Sequence, residues 1–388
     1  MSDIAVLLLS SNVGRAHRRR LGLVAAALRE RDAVVTESDL VDVTADPREN
    51  VFAHFTPDVI DRVVAAEIDL IDEVDPDVVV GDFRPTAALS ARIRKKPFVS
   101  VINAVQSRTF DPTRVLMPSA EGFRQRIGAG LSNRLFRAQK RHIAQQFRAA
   151  TDKYGLTRFA TLDDVLAGDL SLLADVPDFV PLTGPPPHSQ FVGPLVWQPD
   201  AVVDWLAERD HDRPLFYATT GHSGDPRIVN LIIDAFAGRS GADVIISVDD
   251  VVDPSDRELP SHVRVTNMVP GGTVLAQASG VVHAGGSGTM YQVMTHEVPA
   301  IVLPGTVDQR INATLVEARG LGLAMEVSDI DGEAIWAGFR QLSRTTWRND
   351  ALRSYGRLAR SYDGPALAAN AILDFVRSES LDRLDPSL

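Results

Sequence analysis

The 388-residue sequence contains no cysteine. Disulfides, thiolate zinc sites and cysteine nucleophiles are thereby excluded, and a reducing compartment is compatible with the chain. Long apolar runs are missing too: no stretch reaches the ~18–20 apolar residues that a bilayer span needs. The first such run, inside MSDIAVLLLSSN, is too short for a secretory leader and carries Asp3 where a basic residue should stand. A cytoplasmic protein without a transmembrane segment is expected. Positive charge is not in excess either. The formal net charge is −11, which argues against a nucleic-acid partner. Finally, no convincing set of metal ligands is legible. The adjacent acids Asp163-Asp164 and Asp249-Asp250 read as solvated or helix-capping residues.

What is present is a globular composition, 45% apolar and 23% charged, in a chain too long for one ordinary core. Ile4–Ser10 reads as a strand, Ser11–Gly14 as a polar turn, and Leu21, Val24, Ala25 and Leu28 recur at helical spacing. Val34–Thr36 looks like the next strand. Asp77–Gly81 (DVVVG) is apolar toward both sides, as a parallel strand covered on each face must be. An alanine-rich helix at Thr86–Arg94 and a strand at Phe98–Ile102 follow. Val105–Ala150 is rich in Arg and Gln, reads as helix or loop, and shows no strand. Asp178–Gln190, with its Pro185–Pro187 run, reads as irregular, and Phe191–Leu195 closes the first half.

The alternation then restarts. Leu215–Thr219, Asp243–Val248, Val263–Asn267, Gly280–His283, Ala300–Pro304 and Gly322–Val327 are six candidate strands, and Gly364–Arg377 is an amphipathic helix with no strand after it. Two doubly wound α/β domains in tandem are expected. The domains are read as residues 1–196, a linker at 197–213, residues 214–360, and a terminal segment 361–388. Ligands of such sheets sit at the C-terminal strand ends, so a cleft between the halves is the default site.

The stretch VVHAGGSGTMYQVMTHEVPAIVLPGTVDQ, Val281–Gln309, carries the chemistry. A strand ends at His283, a turn follows at Ala284-Gly285-Gly286-Ser287, and a helix opens with Ser287 expected at its N-cap. Free backbone N–H groups, the helix dipole, the Ser287 and Thr289 hydroxyls and the His283 imidazole suit a diphosphate. The plainer reading is a sharp turn alone. The stretch is neither GxGxxG nor a Walker A loop. Twenty residues on, Thr306-x-x-Gln309 is both a capping box and, with Asp308, a pair of side chains able to hold sugar hydroxyls.

HAGGSGT, IVLPGTVDQ and the N-A-x-x-V-E-x-x-G-L-G run at Asn312–Gly322 resemble the donor-binding half of nucleotide-sugar glycosyltransferases of the GT-B fold, bacterial natural-product and macrolide enzymes above all. The resemblance covers nearly the whole chain. It implies two Rossmann-like domains facing across a cleft, with the last helix crossing back to the first. It also implies that His283 contacts the donor phosphate, that Gly285, Gly286, Ser287, Gly288 and Thr289 hold the diphosphate, and that Asp308 and Gln309 bind the sugar. Val269 would lie beside the base through its backbone. Thr219, Thr220, Gly221 and His222 would meet the diphosphate from the other side. In the first half, Gly14-Arg15-Ala16-His17 stands where the family often has Gly-x-Gly-His, Ala16 departing from the second glycine. Gly14 would belong to the donor site, His17 would be the general base, and Asp82 would pair with it.

Sugar transfer needs stabilisation of a departing diphosphate and removal of a proton from the incoming hydroxyl. The helix N-terminus with His283 answers the first need without a metal. His17 answers the second: an ordinary imidazole is largely neutral at pH 7, and a helix N-terminus disfavours its protonated form. The expectation is an inverting glycosyltransferase, independent of metal and cofactor, moving a sugar from a UDP- or TDP-sugar to a small-molecule acceptor, possible as a homodimer. A nucleotide-sugar 2-epimerase and a non-catalytic nucleotide-binding partner protein are the alternatives. Arg15, Arg18, Arg19 and Arg20, and Arg124, Arg126, Arg134, Arg137, Lys140 and Arg141, read as solvated helix faces or as a site for an anionic acceptor.

Overall fold

The computed structural model describes residues 3–12, 15–41, 51–112, 115, 123–201, 203–220, 227–248, 258–344, 347 and 349–384. The chain divides into two compact units, Met1–Leu195 with Tyr362–Leu388, and Val196–Ser361.

The first unit is built on six parallel strands: β1 (Ala5–Ser10), β2 (Val34–Glu37), β3 (Val78–Asp82), β4 (Phe98–Ile102), β5 (Leu170–Leu173) and β6 (Ser189–Phe191), in the order β2-β1-β3-β4-β5-β6. Alternate residues leave opposite faces of a strand, so a sheet covered twice needs apolar residues at both parities. Val6, Leu8, Val78, Val80, Val99 and Val101 pack against Leu21, Val24 and Leu28 of the Arg15–Arg29 helix, and against Ala368, Ile372 and Val376 of the Gly364–Leu384 helix. Leu7, Leu9, Val79 and Phe98 face the other way, onto Ile71, Ala87, Ala88 and Ala91. The Arg/Gln-rich middle forms a long helix, Phe123–Gln146. β5 and β6 have no counterpart in the sequence reading.

The second unit repeats the plan with β7 (Leu215–Thr219), β8 (Asp243–Ser247), β9 (Val263–Thr266), β10 (Ala278–His283), β11 (Ala300–Val302) and β12 (Gly322–Ala324), in the order β12-β11-β10-β7-β8-β9. All six are parallel. Phe216, Ala218, Val244, Ile246, Val282 and Ile301 bury one face under Ile228, Ile232, Phe236, Ile335 and Phe339. The expectation of two doubly wound α/β halves is met.

In both sheets the strand order reverses once, between β1 and β3 and between β7 and β10. Those reversals are where the flanking loops part and leave a crevice for ligands. Register places Ser10 beside Asp82 at the first reversal and Thr219 beside His283 at the second.

The last helix is seated by two glycines. Gly193 has φ +82°, and a Cβ on it would lie 2.2 Å from Tyr362 Cβ; one on Gly364 would lie 2.3 Å from the Pro194 carbonyl oxygen. Gly193→Ala should therefore lower the stability of the first unit by more than the ~1–3 kcal/mol that backbone strain costs on its own. Gly155, at φ +65° with open space around it, supplies the strain-only control. Denaturant midpoints of Gly193→Ala and Gly155→Ala would check this, and equal losses would show that the Tyr362 contact is immaterial.

Candidate functional site

At the first reversal, β3 ends on Asp82, which is wholly buried, and His17 lies in the first turn of the Arg15–Arg29 helix. His17 Nδ1 and Asp82 Oδ1 are 2.9 Å apart, with the His17 side chain 22% exposed. The imidazole stacks on Phe83, centroids 5.0 Å apart at 11°. Phe83 has φ +46°, in the left-handed region that non-glycine residues enter at a cost. The pair joined by resemblance is thus joined in space, and the ring is held from one side by a strained aromatic residue.

The structure adds a third member. Arg20, three residues after His17 on the same helix, is half-buried, its side chain 11% exposed. Its Nε donates to Asp82 Oδ2 at 2.6 Å and its Nη2 to Asp82 Oδ1 at 2.5 Å. Its Nη1 donates to Asn103 Oδ1 at 3.0 Å, and Asn103 Nδ2 donates to Asp175 Oδ2 at 3.2 Å. For Arg20 the solvated-face reading is corrected: a buried carboxylate within reach outcompetes water for a guanidinium fork. Arg18 is exposed and pairs with Asp39. Burial works to raise the Asp82 carboxyl, but the charge of Arg20 and then of His17 outweighs it and holds the group below its ordinary value. Gly14 lies outside the described residues, as do Gly221, His222 and Asp249-Asp250. Asp164 caps the Leu162–Leu166 helix and Asp163 pairs with Lys140 at 2.7 Å.

At the second reversal, β10 ends on His283, which is 1% exposed. Its Nδ1 accepts the Gly285 N–H at 3.0 Å. Burial pushes the imidazole down to about 4, so it is neutral near pH 7. A neutral ring carries one proton, and since Nδ1 accepts, that proton is on Nε2. Nε2 is buried and has no hydrogen-bond partner among the described residues. His283 therefore presents an unsatisfied N–H, at a cost of about 1–3 kcal/mol.

The turn after it is held by side chains behind it. Gly285 has φ +91°, and a Cβ there would lie 2.9 Å from Val302 Cγ1 and 3.0 Å from the Gln309 carbonyl. Asn312 Nδ2 donates to the Gly285 carbonyl at 2.8 Å and to Ser287 Oγ at 3.3 Å. The helix runs Ser287–Thr295 with Gly286 as its N-cap, so the expectation of Ser287 at the cap is corrected. The cap needs an extended residue, and Gly286 supplies it while Ser287 begins the helix facing Asn312. The first intrahelical bond is Met290 N–H to the Gly286 carbonyl at 2.9 Å. The N–H groups of Ser287, Gly288 and Thr289 then have no acceptor within the helix. Gly286 and Gly288 are exposed, Ser287 and Thr289 half-buried.

Around this turn, Thr219 is half-buried and Thr220 buried at the end of β7. Val269 is buried, its N–H directed at Ser247 Oγ at 3.4 Å. Asp308 is exposed in the first turn of the Val307–Ala318 helix. Gln309 is buried, and its Oε1 accepts from the Gly305 and Thr306 N–H groups at 2.8 and 3.1 Å. The capping box is formed, and it occupies the oxygen through which Gln309 would accept from a sugar hydroxyl. Asn103, Asp175 and the positioning role of Asn312 are not legible in the sequence, where Arg20 reads only as one of a run of arginines; its three-residue spacing from His17 is the available signal. Among the described residues, no three His, Asp or Glu side chains are grouped to hold a metal ion, and no helix is long and apolar enough to cross a membrane.

The buried neutral histidine gives a pH signature. The unfolded chain takes up this proton near 6.5, the folded one only near 4, so the unfolded state binds more protons between them. Stability is unaffected above pH 6.5 and falls as pH drops from 6.5 to 4, by on the order of 3 kcal/mol. Urea denaturation of wild type and His283→Asn across that window should show the slope reduced in the variant. An unchanged slope would place the proton elsewhere.

Comparison with known proteins agrees with this architecture. Residues 231–356 match the family described as "Erythromycin biosynthesis protein CIII-like, C-terminal domain". The chain is 28% identical over 305 residues to a PGL/p-HBAD biosynthesis glycosyltransferase of Mycobacterium tuberculosis (strain ATCC 25177 / H37Ra), covering 75% of this chain and 69% of that protein. In fold it is similar to the calicheamicin glycosyltransferase CalG4, with a TM-score of 0.70, 19% identity, and coverage of 97% of this chain and 99% of that one. It is likewise similar to the spinosyn rhamnosyltransferase SpnG complexed with thymidine diphosphate, with a TM-score of 0.72, 17% identity, and coverage of 95% and 100%.

Proposed function

We propose that the chain, which shares the GT-B fold and is similar in sequence to glycosyltransferases, is itself a glycosyltransferase that moves a sugar from a nucleoside-diphosphate sugar, UDP or TDP, to a hydroxyl of a small acceptor, with inversion at C1 and without a metal. The observation that carries this reading is the unpartnered Nε2–H of His283 beside the open N-terminus of the Ser287–Thr295 helix. A diphosphate is the ligand such a turn is short of: it accepts hydrogen bonds, bears negative charge, and meets a positive helix end.

In the transition state, charge collects on the departing diphosphate as the C1–oxygen bond breaks. The Ser287, Gly288 and Thr289 amides and the His283 N–H are fixed before the reaction, so they stabilise that charge without reorganising. A neutral histidine is suited to this, since it donates without first losing a proton. The incoming hydroxyl gives its proton to His17, whose Nδ1 is oriented by Asp82, leaving Nε2 to act as the base. Asp82 then offsets the positive charge formed on the ring. Thr219 and Thr220 supplement the diphosphate site from β7, and Asp308 faces the sugar hydroxyls. Gln309 contributes by holding the Asp308 turn in place. Val269, its N–H engaged, offers its carbonyl to the base. An epimerase acting on the donor alone has no acceptor to deprotonate, and the built His17–Asp82 pair favours transfer over it.

Titration calorimetry with UDP and TDP tests the donor half: one diphosphate should bind, and at 100 times its dissociation constant it should stabilise the protein by ~2.7 kcal/mol. His283→Ala should weaken that binding. His17→Ala should leave it intact and lower kcat about 10²–10⁴-fold. EDTA should not slow turnover, and the product should be inverted at C1. Absence of any nucleoside-diphosphate binding, or loss of activity in EDTA, would overturn the reading.

A further inference from the structure

We propose that Arg20 is a positioning residue that clamps Asp82 and thereby sets the pH at which the His17–Asp82 pair is free to accept a proton. The inference rests on the reading of His17 as the base and deepens it.

Asp82 offers two oxygens to three donors. Oδ1 is shared by His17 Nδ1 and Arg20 Nη2, and Oδ2 is taken by Arg20 Nε. Two parallel bonds from one guanidinium fix the plane of the carboxylate, and the imidazole must meet the edge that this plane leaves. The clamp is itself pinned. Arg20 Nη1 reaches Asn103 Oδ1, Asn103 Nδ2 reaches Asp175 Oδ2, and that oxygen also accepts the Ala104 N–H at 2.5 Å. Asp82, Asn103 and Asp175 stand at or just past the ends of β3, β4 and β5, so Arg20 ties the pair to three strands.

A guanidinium bonded to the same oxygen as the ring is close enough to act on it electrostatically. Asp82 favours a positive imidazole, whereas Arg20, a like charge, disfavours one. Asp82 and Arg20 thus act on the ring in opposite directions, and removing the guanidinium leaves the carboxylate unopposed. Among the described residues, the groups placed about the ring can be named. From its own helix comes Arg20, bonded to the same carboxylate oxygen, while Arg18 is turned to Asp39. From β3 and the turn after it come Asp82 and the uncharged Phe83. From beyond β4 and β5 come Asn103 and Asp175, both acting through Arg20.

The test compares Arg20→Gln, which keeps an N–H toward Asp82 and drops the charge, with Arg20→Lys, which keeps the charge. The pH dependence of kcat/KM is measured, and the ring resonances of His17 are followed by NMR titration without substrate. In Arg20→Gln the acid limb of the rate profile should move up by about one pH unit, a roughly tenfold loss at a pH on that limb. The ring midpoint should move the same way. Arg20→Lys should stay near wild type in both. A merely structural salt bridge would lower thermal stability and leave limb and midpoint in place, which overturns the proposal. Should Arg20→Gln not fold, the same charge is removed in an Asp82→Asn background. There, adding Arg20→Gln should raise the ring midpoint, and no change sinks the idea. A ring midpoint that moves while the acid limb stays fixed supports the control by Arg20 and removes His17 from the role of base.

Discussion

Parallel pairing with one reversal of strand order is the constraint on which the rest of this protein depends. Parallel strands all end on the same edge, and at the reversal the neighbouring connections run to opposite faces. The two strands that flank each reversal carry polar residues at their last positions: Ser10 and Asp82 in one unit, Thr219 and His283 in the other. Elsewhere along those strands the residues are mostly apolar, and all but Ala5 and Ser279 are buried. Chemistry is thus confined to the tips, where a side chain can face a ligand while its backbone belongs to a rigid sheet.

The two histidines show how position alone separates two roles for one side chain. His17 is partly exposed, opens a helix, and has a carboxylate on one nitrogen. His283 is buried at a strand end, and among the described residues its hydrogen-bond partner is a backbone amide two residues on. The first arrangement supports a positive ring when a proton arrives. The second penalises a positive ring and keeps a neutral donor. In the proposed mechanism one imidazole serves as base and the other as fixed donor, and what surrounds each ring sets the difference.

Much of this was legible in the sequence. DVVVG and FVSVI announce themselves because a strand covered on both faces is apolar at consecutive positions. β5 was not seen because Ser171 interrupts it. That serine faces Ser100, their hydroxyls 3.0 Å apart, a pairing invisible to a local pattern. β6 is three residues beside a proline run. At the site, the Gly-Gly-Ser turn and the Thr306–Gln309 capping box could be read from residue type and spacing. The inward turn of Arg20 could not, because a run of arginines on a helix resembles a solvated face until the buried carboxylate appears from 62 residues away. The cap position was misread by one residue for a similar reason: Asn312, from the next helix, engages both the Gly285 carbonyl and Ser287 Oγ.

The Gly364–Leu384 helix packs into the core of the first unit, although the whole second unit lies between it and the rest of that core in the chain. On the ribosome, the second unit has all of its own residues before the first has its closing helix. The valine and leucine surface that Ala368, Ile372 and Val376 eventually cover stays bare through the synthesis of some 166 intervening residues. The unit that is begun before the second is therefore closed only after it.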